Sequence, residues 1–233
     1  RNRVAMPAAS LDGLKRLYAF EDFGKFIELW MLMCSCLKAE EDYVGMVDGF
    51  LADCARQNVR YVEAHFTPYN HEKFGIGAER SLGVVSKRLA ESEAAGGPAV
   101  RLILDIPSEH GQAGADFTAS FLESLSNPLV VAIGLGGPEK GYPRSDFAPQ
   151  FERARRAGYP AVAHAGETGG ADHVRQAVVD LRARRVQHGV ASVEDEAVLR
   201  LLAAREVCCD GALTSNVFLT PYPDLSAHPI RRL

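Results

Sequence analysis

Two histidines and a glutamate carry the strongest chemical signal in this sequence. Val162-Ala163-His164-Ala165-Gly166-Glu167 closes an apolar run on a histidine. A histidine at the end of a buried strand offers a ring nitrogen to a metal ion or a substrate. Gly166 lets the backbone turn sharply, which puts Glu167 in the loop over the same mouth. A plainer reading fits the same spacing: a strand-ending histidine bonded to a loop, and a solvated glutamate capping the next helix. Val186-Gln187-His188-Gly189 repeats the pattern one strand–helix unit later. Neighbouring strands lie about 4.8 Å apart, so side chains from their ends can converge on one small ligand. Two such histidines and a carboxylate make a metal and acid/base constellation; two independently buried histidines remain the alternative.

The elements that must position these groups alternate along the chain. Predicted strands cover Val59–Phe66, Ala99–Ile106, Leu129–Leu135, Pro160–Ala165, Arg185–His188 and Glu206–Ala212. Predicted helices cover Asp42–Gln57, Ala78–Ala95, Asp116–Leu125, Asp146–Ala157, Ala171–Arg184 and Val193–Ala204. Several strands are continuous apolar runs, as expected when both sheet faces are covered. Repeated strand–helix units imply an α/β fold with a parallel sheet, expected as a single domain over residues 1–233 with a helical region over about 1–57. A barrel and a doubly wound sheet both fit. In a (β/α)8 TIM-type barrel the chemistry sits at the C-terminal strand ends. His65, Asp105, Gly137, His164, His188 and Ser215 fall at or just beyond predicted strand ends, which favours the barrel. No G-x-G-x-x-G follows the first strand, which counts against the dinucleotide-binding alternative.

At this point a family resemblance becomes specific. His164-Ala165-Gly166-Glu167, then His188-Gly189, then Thr214-Ser215-Asn216 resemble, in order and spacing, the adenosine deaminase family. Gly134-Leu135-Gly136-Gly137-Pro138-Glu139 resembles the loop after the fourth strand of bacterial members. Val59-Arg60-Tyr61-Val62-Glu63 and Ala227-His228-Pro229 are similar to further family segments. The likeness runs from about Asp42 to the last residue.

The resemblance implies zinc-dependent hydrolytic deamination of a 6-aminopurine. It makes His164 a zinc ligand and Glu167 the proton shuttle to purine N1. It gives His188 the orientation of the attacking hydroxide, and Gly137 a backbone N–H for purine N3. Ser215 and Asn216 become supporting or turn residues at the mouth. It also implies an H-x-H on the first barrel strand and paired aspartates on the eighth. Neither motif stands in these 233 residues, so the expectation is a barrel lacking its first and eighth strands, part of a longer protein. The resemblance makes adenosine the default substrate, with aminodeoxyfutalosine, adenine and modified purine nucleosides as competitors. Leu213 and Ala212 stand where relatives carry proline and cysteine, which alters the rim of the pocket. Two other readings are a barrel that binds purines without catalysis and a metal-dependent hydrolase of amides or phosphoesters.

Composition agrees with an ordinary globular protein: 47% of residues are apolar and 24% charged. A formal charge of −4 advertises no surface for nucleic acid or anionic membrane. Ile27 to Leu37 is too short for a membrane span and carries Glu28. Five cysteines without a C-x-x-C pair argue against disulfides or a zinc ribbon, and suggest a reducing, cytoplasmic setting. Cys34-Ser35-Cys36 reads as a buried helix stripe and Cys208-Cys209 as strand core. Asp105 reads as structural and His65 as a packing or hydrogen-bonding residue. His71, His110 and His173 read as solvated, and His228 as a loop anchor.

Overall fold

The computed structural model describes residues 2, 4–19, 22–219 and 222–233. Helices α1 (Leu11–Leu17), α2 (Phe23–Ser35) and α3 (Glu40–Arg56) precede the first strand. There follow β1 (Tyr61–Phe66), α4 (Pro68–Phe74), α5 (Ala78–Ala94), β2 (Ala99–Pro107), α6 (Gly111–Ser124), β3 (Val130–Gly136) and α7 (Ala148–Arg156). The chain continues through β4 (Ala161–Ala165), α8 (Ala171–Val179), β5 (Arg185–His188), α9 (Glu196–Ala204), β6 (Cys208–Asp210) and α10 (Leu213–Leu219). The pairings β1–β2, β3–β4, β4–β5 and β5–β6 are all parallel. Strand order follows the chain, β1-β2-β3-β4-β5-β6. A doubly wound sheet reverses its strand order part-way, and that reversal is its binding crevice. Strict chain order is what a fragment of a β/α barrel requires.

The chain divides into two compact units. One comprises Phe26–Leu104 and Asn127–Val131 with the described part of the first twenty residues. Here α3 buries Tyr43, Val47, Leu51 and Cys54, which recur at helical spacing on one face. α5 packs on α3 and buries Leu82, Val85 and Leu89 by the same rule. Leu102, Ile103 and Leu104 of β2 are no more than 2% exposed, the two-sided burial of a parallel strand. Each such side chain contributes roughly 1.5–3 kcal/mol of burial.

His71 departs from the expectation of a solvated loop residue. It sits in α4, buried, with Nδ1 3.0 Å from the Tyr43 hydroxyl and its ring stacked on Phe66. Burial pushes it down to about 4, so it is a neutral packing group. A cavity of about 960 Å³ in this unit is lined by Trp30, Met33, Cys34, His65, Phe66 and His71. Cys34 is buried as expected.

The second unit comprises Asp105–Ser126 and Ala132–Leu233 with the short segment 22–25. Its strands carry Ile133, Leu135, Ala163, Ala165 and Val186 at 0% exposure. Helices break earlier than their apolar periodicity suggests. α8 stops at Val179 because the chain turns through Arg182 at a positive φ of 55°. The predicted helix over Val193–Ala204 is a 3-10 turn, Val190–Glu194, followed by α9, which the Asp195 side chain caps. The last strand is the largest difference. It spans only Cys208–Asp210, and Leu213–Leu219 winds into a helix instead of continuing toward a turn. Cys208 is accordingly exposed, not strand core. Among the described residues, no helix is long and apolar enough to cross a membrane.

Candidate active site

All groups in this section belong to the second unit. His164 is the fourth residue of β4, and its Nδ1 lies 3.0 Å from the Leu135 carbonyl of β3. A carbonyl only accepts, so Nδ1 carries the proton and Nε2 is the ring's acceptor nitrogen. That tautomer is the one a metal ligand needs. A carboxylate oxygen of Asp105, at the β2 end, lies within 4.8 Å of a His164 ring nitrogen. Asp105, read from the sequence as structural, thus stands beside His164, and the pair fits a divalent cation that accepts nitrogen and oxygen donors.

His188 closes β5. Its ring lies 5.6 Å from that of His164 between centroids. Its Nε2 is 3.4 Å from Oε1 of Glu167, and both side chains are less than 10% exposed. The backbone at His188 takes φ +67°, followed by Gly189 at +68°. Two consecutive left-handed residues end the strand abruptly, and the non-glycine one costs on the order of 1–3 kcal/mol. That geometry turns the imidazole toward Glu167.

A chain of donors sets the His188 proton. The Ile230 N–H donates to Nδ1 of His228, so His228 carries its proton on Nε2. That nitrogen lies 3.3 Å from Oδ1 of Asn216, which turns the amide nitrogen toward Nδ1 of His188 at 2.9 Å. His188 therefore holds its own proton on Nε2, facing Glu167. Asn216 is fully buried on α10, not in a turn. Ser215, half-buried on the same helix, has no part in this chain. His228 anchors more than its own loop.

Glu167 enters on a loop that starts at Gly166, φ +71°. A Cβ at Gly166 would meet Val174, which explains glycine there. Burial pushes Glu167 up to about 7, and the charge of Glu139 adds to it. Glu139 itself is only 1% exposed. Burial alone would raise it, but N–H groups of Thr168, Gly166 and Glu167 and the charge of Arg144 hold it below the usual carboxylate range. Gly137 has φ +83°, and a Cβ there would collide with Oε2 of Glu109 and Oγ of Ser108. Close approach of backbone to a ligand is a use of glycine that this position permits.

Three comparisons bear on this arrangement. A family model described as adenosine deaminase matches residues 1–233. The chain belongs to the adenosine deaminase family. Within it, an adenine deaminase of Ralstonia nicotianae is 34% identical over 236 residues, covering 100% of this chain and 68% of that protein. An aminodeoxyfutalosine deaminase of Streptomyces coelicolor is 35% identical over 222 residues, covering 94% of this chain and 57% of that protein. The chain thus spans 57% and 68% of the length of these two relatives. The crystal structure of adenine deaminase from Arthrobacter aurescens superposes with a TM-score of 0.93 at 30% identity, covering 100% of this chain and 71% of that one.

In this member of the adenosine deaminase family, sequence reasoning missed two buried charges, Glu139 and Arg144, and the half-buried carboxyl of Glu109. Glu139 stood in the quoted Gly-Pro-Glu turn but carried no role. Arg144 is wholly buried, donating to the carbonyls of Pro138 and Tyr142 at 2.8 Å, and nothing in the Tyr142-Pro143-Arg144 string signals that. Glu109 follows β2, is pushed up by burial, and its Oε2 has no hydrogen-bond partner among the described residues. His110 and His173, read as solvated, are half-buried. His173 Nε2 reaches the Glu139 carbonyl at 3.1 Å.

Proposed function

We propose that this chain carries much of the active site of a metal-dependent hydrolytic deaminase acting on a 6-aminopurine, releasing ammonia and the 6-oxo product. The observation that carries the reading is the convergence of His164, Glu167 and His188 at adjacent strand ends, with 3.4 Å between Glu167 and His188. The fold context we propose is a closed β/α barrel in one domain, and the free cysteines suit a reducing, cytoplasmic setting.

Zinc, when bound, supplies a water whose pKa falls to roughly 7. His164 would hold it through Nε2, with the Asp105 carboxylate nearby. The remaining chemistry belongs to residues of this chain. Glu167, whose dry surroundings push its carboxyl up to about 7, donates a proton to purine N1 from its protonated form. That draws electron density from C6 and opens it to addition. His188 presents Nε2–H to the oxygen nucleophile and steadies the charge that develops there. Gly137 offers its backbone N–H to purine N3, holding the ring with C6 toward the histidines. Ser215 and Asn216 support the mouth, Asn216 through His188.

The relatives named for adenine and aminodeoxyfutalosine widen the substrate from adenosine to 6-aminopurines as a class. A panel of adenine, adenosine and aminodeoxyfutalosine, scored for ammonia with the intact, zinc-loaded protein, tests this. Turnover of at least one, abolished by Glu167→Ala, is expected. Zinc-loaded protein that turns over none, yet binds purines, would make it a scaffold and end the proposal.

A further inference from the structure

The chain offers one further assignment. Glu139 lies 27 to 29 residues before the loop it touches and is sealed from solvent. Its Oε2 accepts the N–H of Gly166 at 2.7 Å, and its Oε1 accepts those of Glu167 and Thr168 at 2.8 and 2.9 Å. Three consecutive backbone donors on one carboxylate form an anion nest built from the loop that carries Glu167. Behind it, the wholly buried Arg144 is fastened to the carbonyls flanking Glu139, those of Pro138 and Tyr142. Its charge stabilises the carboxylate. Burying two charges costs several kcal/mol per ion before attraction and hydrogen bonds offset it. Packing alone gives no reason to keep a carboxylate and a guanidinium buried here.

We infer that Glu139 is a positioning residue of the active site: its carboxylate ties down the Gly166–Thr168 backbone and stands as a permanent buried anion beside Glu167. This rests on the reading of Glu167 as proton donor. Two effects follow. The tether fixes the Glu167 backbone from both sides of its Cα, so the side chain approaches His188 from one direction. The anion opposes a second negative charge nearby, which keeps the proton on Glu167. Among the described residues, His188 on β5 lies 3.4 Å from Glu167, Glu194 and Tyr222 line a cavity of about 260 Å³ together with it, and Arg144 and His173 bond carbonyls of the Glu139 turn. The Glu139 carboxylate is the group that accepts the Glu167 N–H.

Two variants separate tether from charge. Glu139→Gln keeps the shape but removes the charge and sets an amide N–H₂ against backbone donors, so at least one hydrogen bond is lost. Glu139→Asp keeps the charge but is too short to span the nest. With the intact, zinc-loaded protein, Glu139→Gln is expected to lower kcat about 10- to 100-fold with KM changed far less. It should also move the alkaline limb of the rate profile about one pH unit lower. Glu139→Asp should lower kcat and leave that limb in place. Amide hydrogen exchange of the wild-type protein reads the tether without reference to activity or to any variant's folding. Gly166, Glu167 and Thr168 should exchange at least tenfold more slowly than neighbouring loop amides. Loss of purine turnover with protected amides would defeat the functional reading and leave the tether standing. Unprotected amides, or a Glu139→Gln protein with wild-type kcat and an unmoved limb, would overturn the inference.

Discussion

The side-chain amide of Asn216 donates to Nδ1 of His188 across 2.9 Å, with both groups buried. The His228 ring behind it fixes which end of the amide faces the histidine. Asn216→Asp places an acceptor where a donor stood. His188 must then carry a proton on Nδ1, and its neutral form no longer offers one from Nε2. The expected result is a 10- to 100-fold fall in kcat with little change in KM. Nitrogen-15 spectra of the His188 ring should report the exchanged tautomer, and an unaltered ring spectrum would count against this relay.

Glu167 should set the alkaline limb of activity. Burial and then the charge of Glu139 push its carboxyl up to about 7, and only the protonated form donates. The rate should fall as pH rises through about 7. Glu167→Gln should lower kcat by at least ~100-fold and flatten that limb in any residual activity.

The same carboxyl should cost stability at high pH. Its folded value lies above the ordinary 4.5, so folding favours the protonated form. That contribution is complete below about 4.5 and is lost as pH rises through about 7. Glu167→Gln stays neutral throughout. It should be more stable than wild type above pH 7 by on the order of 2–3 kcal/mol, with the gap closing by about pH 4. Thermal melts of the two proteins across that range decide it.

Gly166→Ala should damage both fold and rate. The residue holds φ +71°, and the new methyl would meet Val174 and Ala191. A loss of about 1–3 kcal/mol is expected from the backbone strain alone. Calorimetry reads that loss, and a fall in kcat should accompany it as Glu167 shifts.

Removing the metal should abolish ammonia release and lower the melting temperature. Zinc should restore both, since a ligand bound at 100 times its Kd stabilises by about 2.7 kcal/mol. A melt indifferent to chelator and zinc would argue against His164 as a ligand.

The part of this site legible in the sequence is the part encoded locally. His164, Gly166 and His188 announce themselves because a strand end followed by glycine has a recognisable string. The parallel alternation was equally readable, since apolar runs and helical periodicity are short-range patterns. Glu139 was not readable, because its meaning lies in contacts 27 to 29 residues away in the chain; Arg144 bonds nearby carbonyls, but nothing in that string shows the turn to be sealed from solvent. The brevity of β6 also escaped. Cys208-Cys209-Asp210-Gly211-Ala212 has strand-like residues up to the glycine, whereas the chain turns into a helix at Leu213, which carries Asn216 to His188.

Arg144 has a consequence for how this region comes apart. Its guanidinium has zero exposure and reaches carbonyls at Pro138, Tyr142 and His164. Any partial opening of the turn after β3 strands a cation in a greasy interior unless β4 lets go as well. These two stretches should therefore loosen together, rarely and only near global unfolding. The chemical end of the strands would then outlast most of the surface loops under a protease.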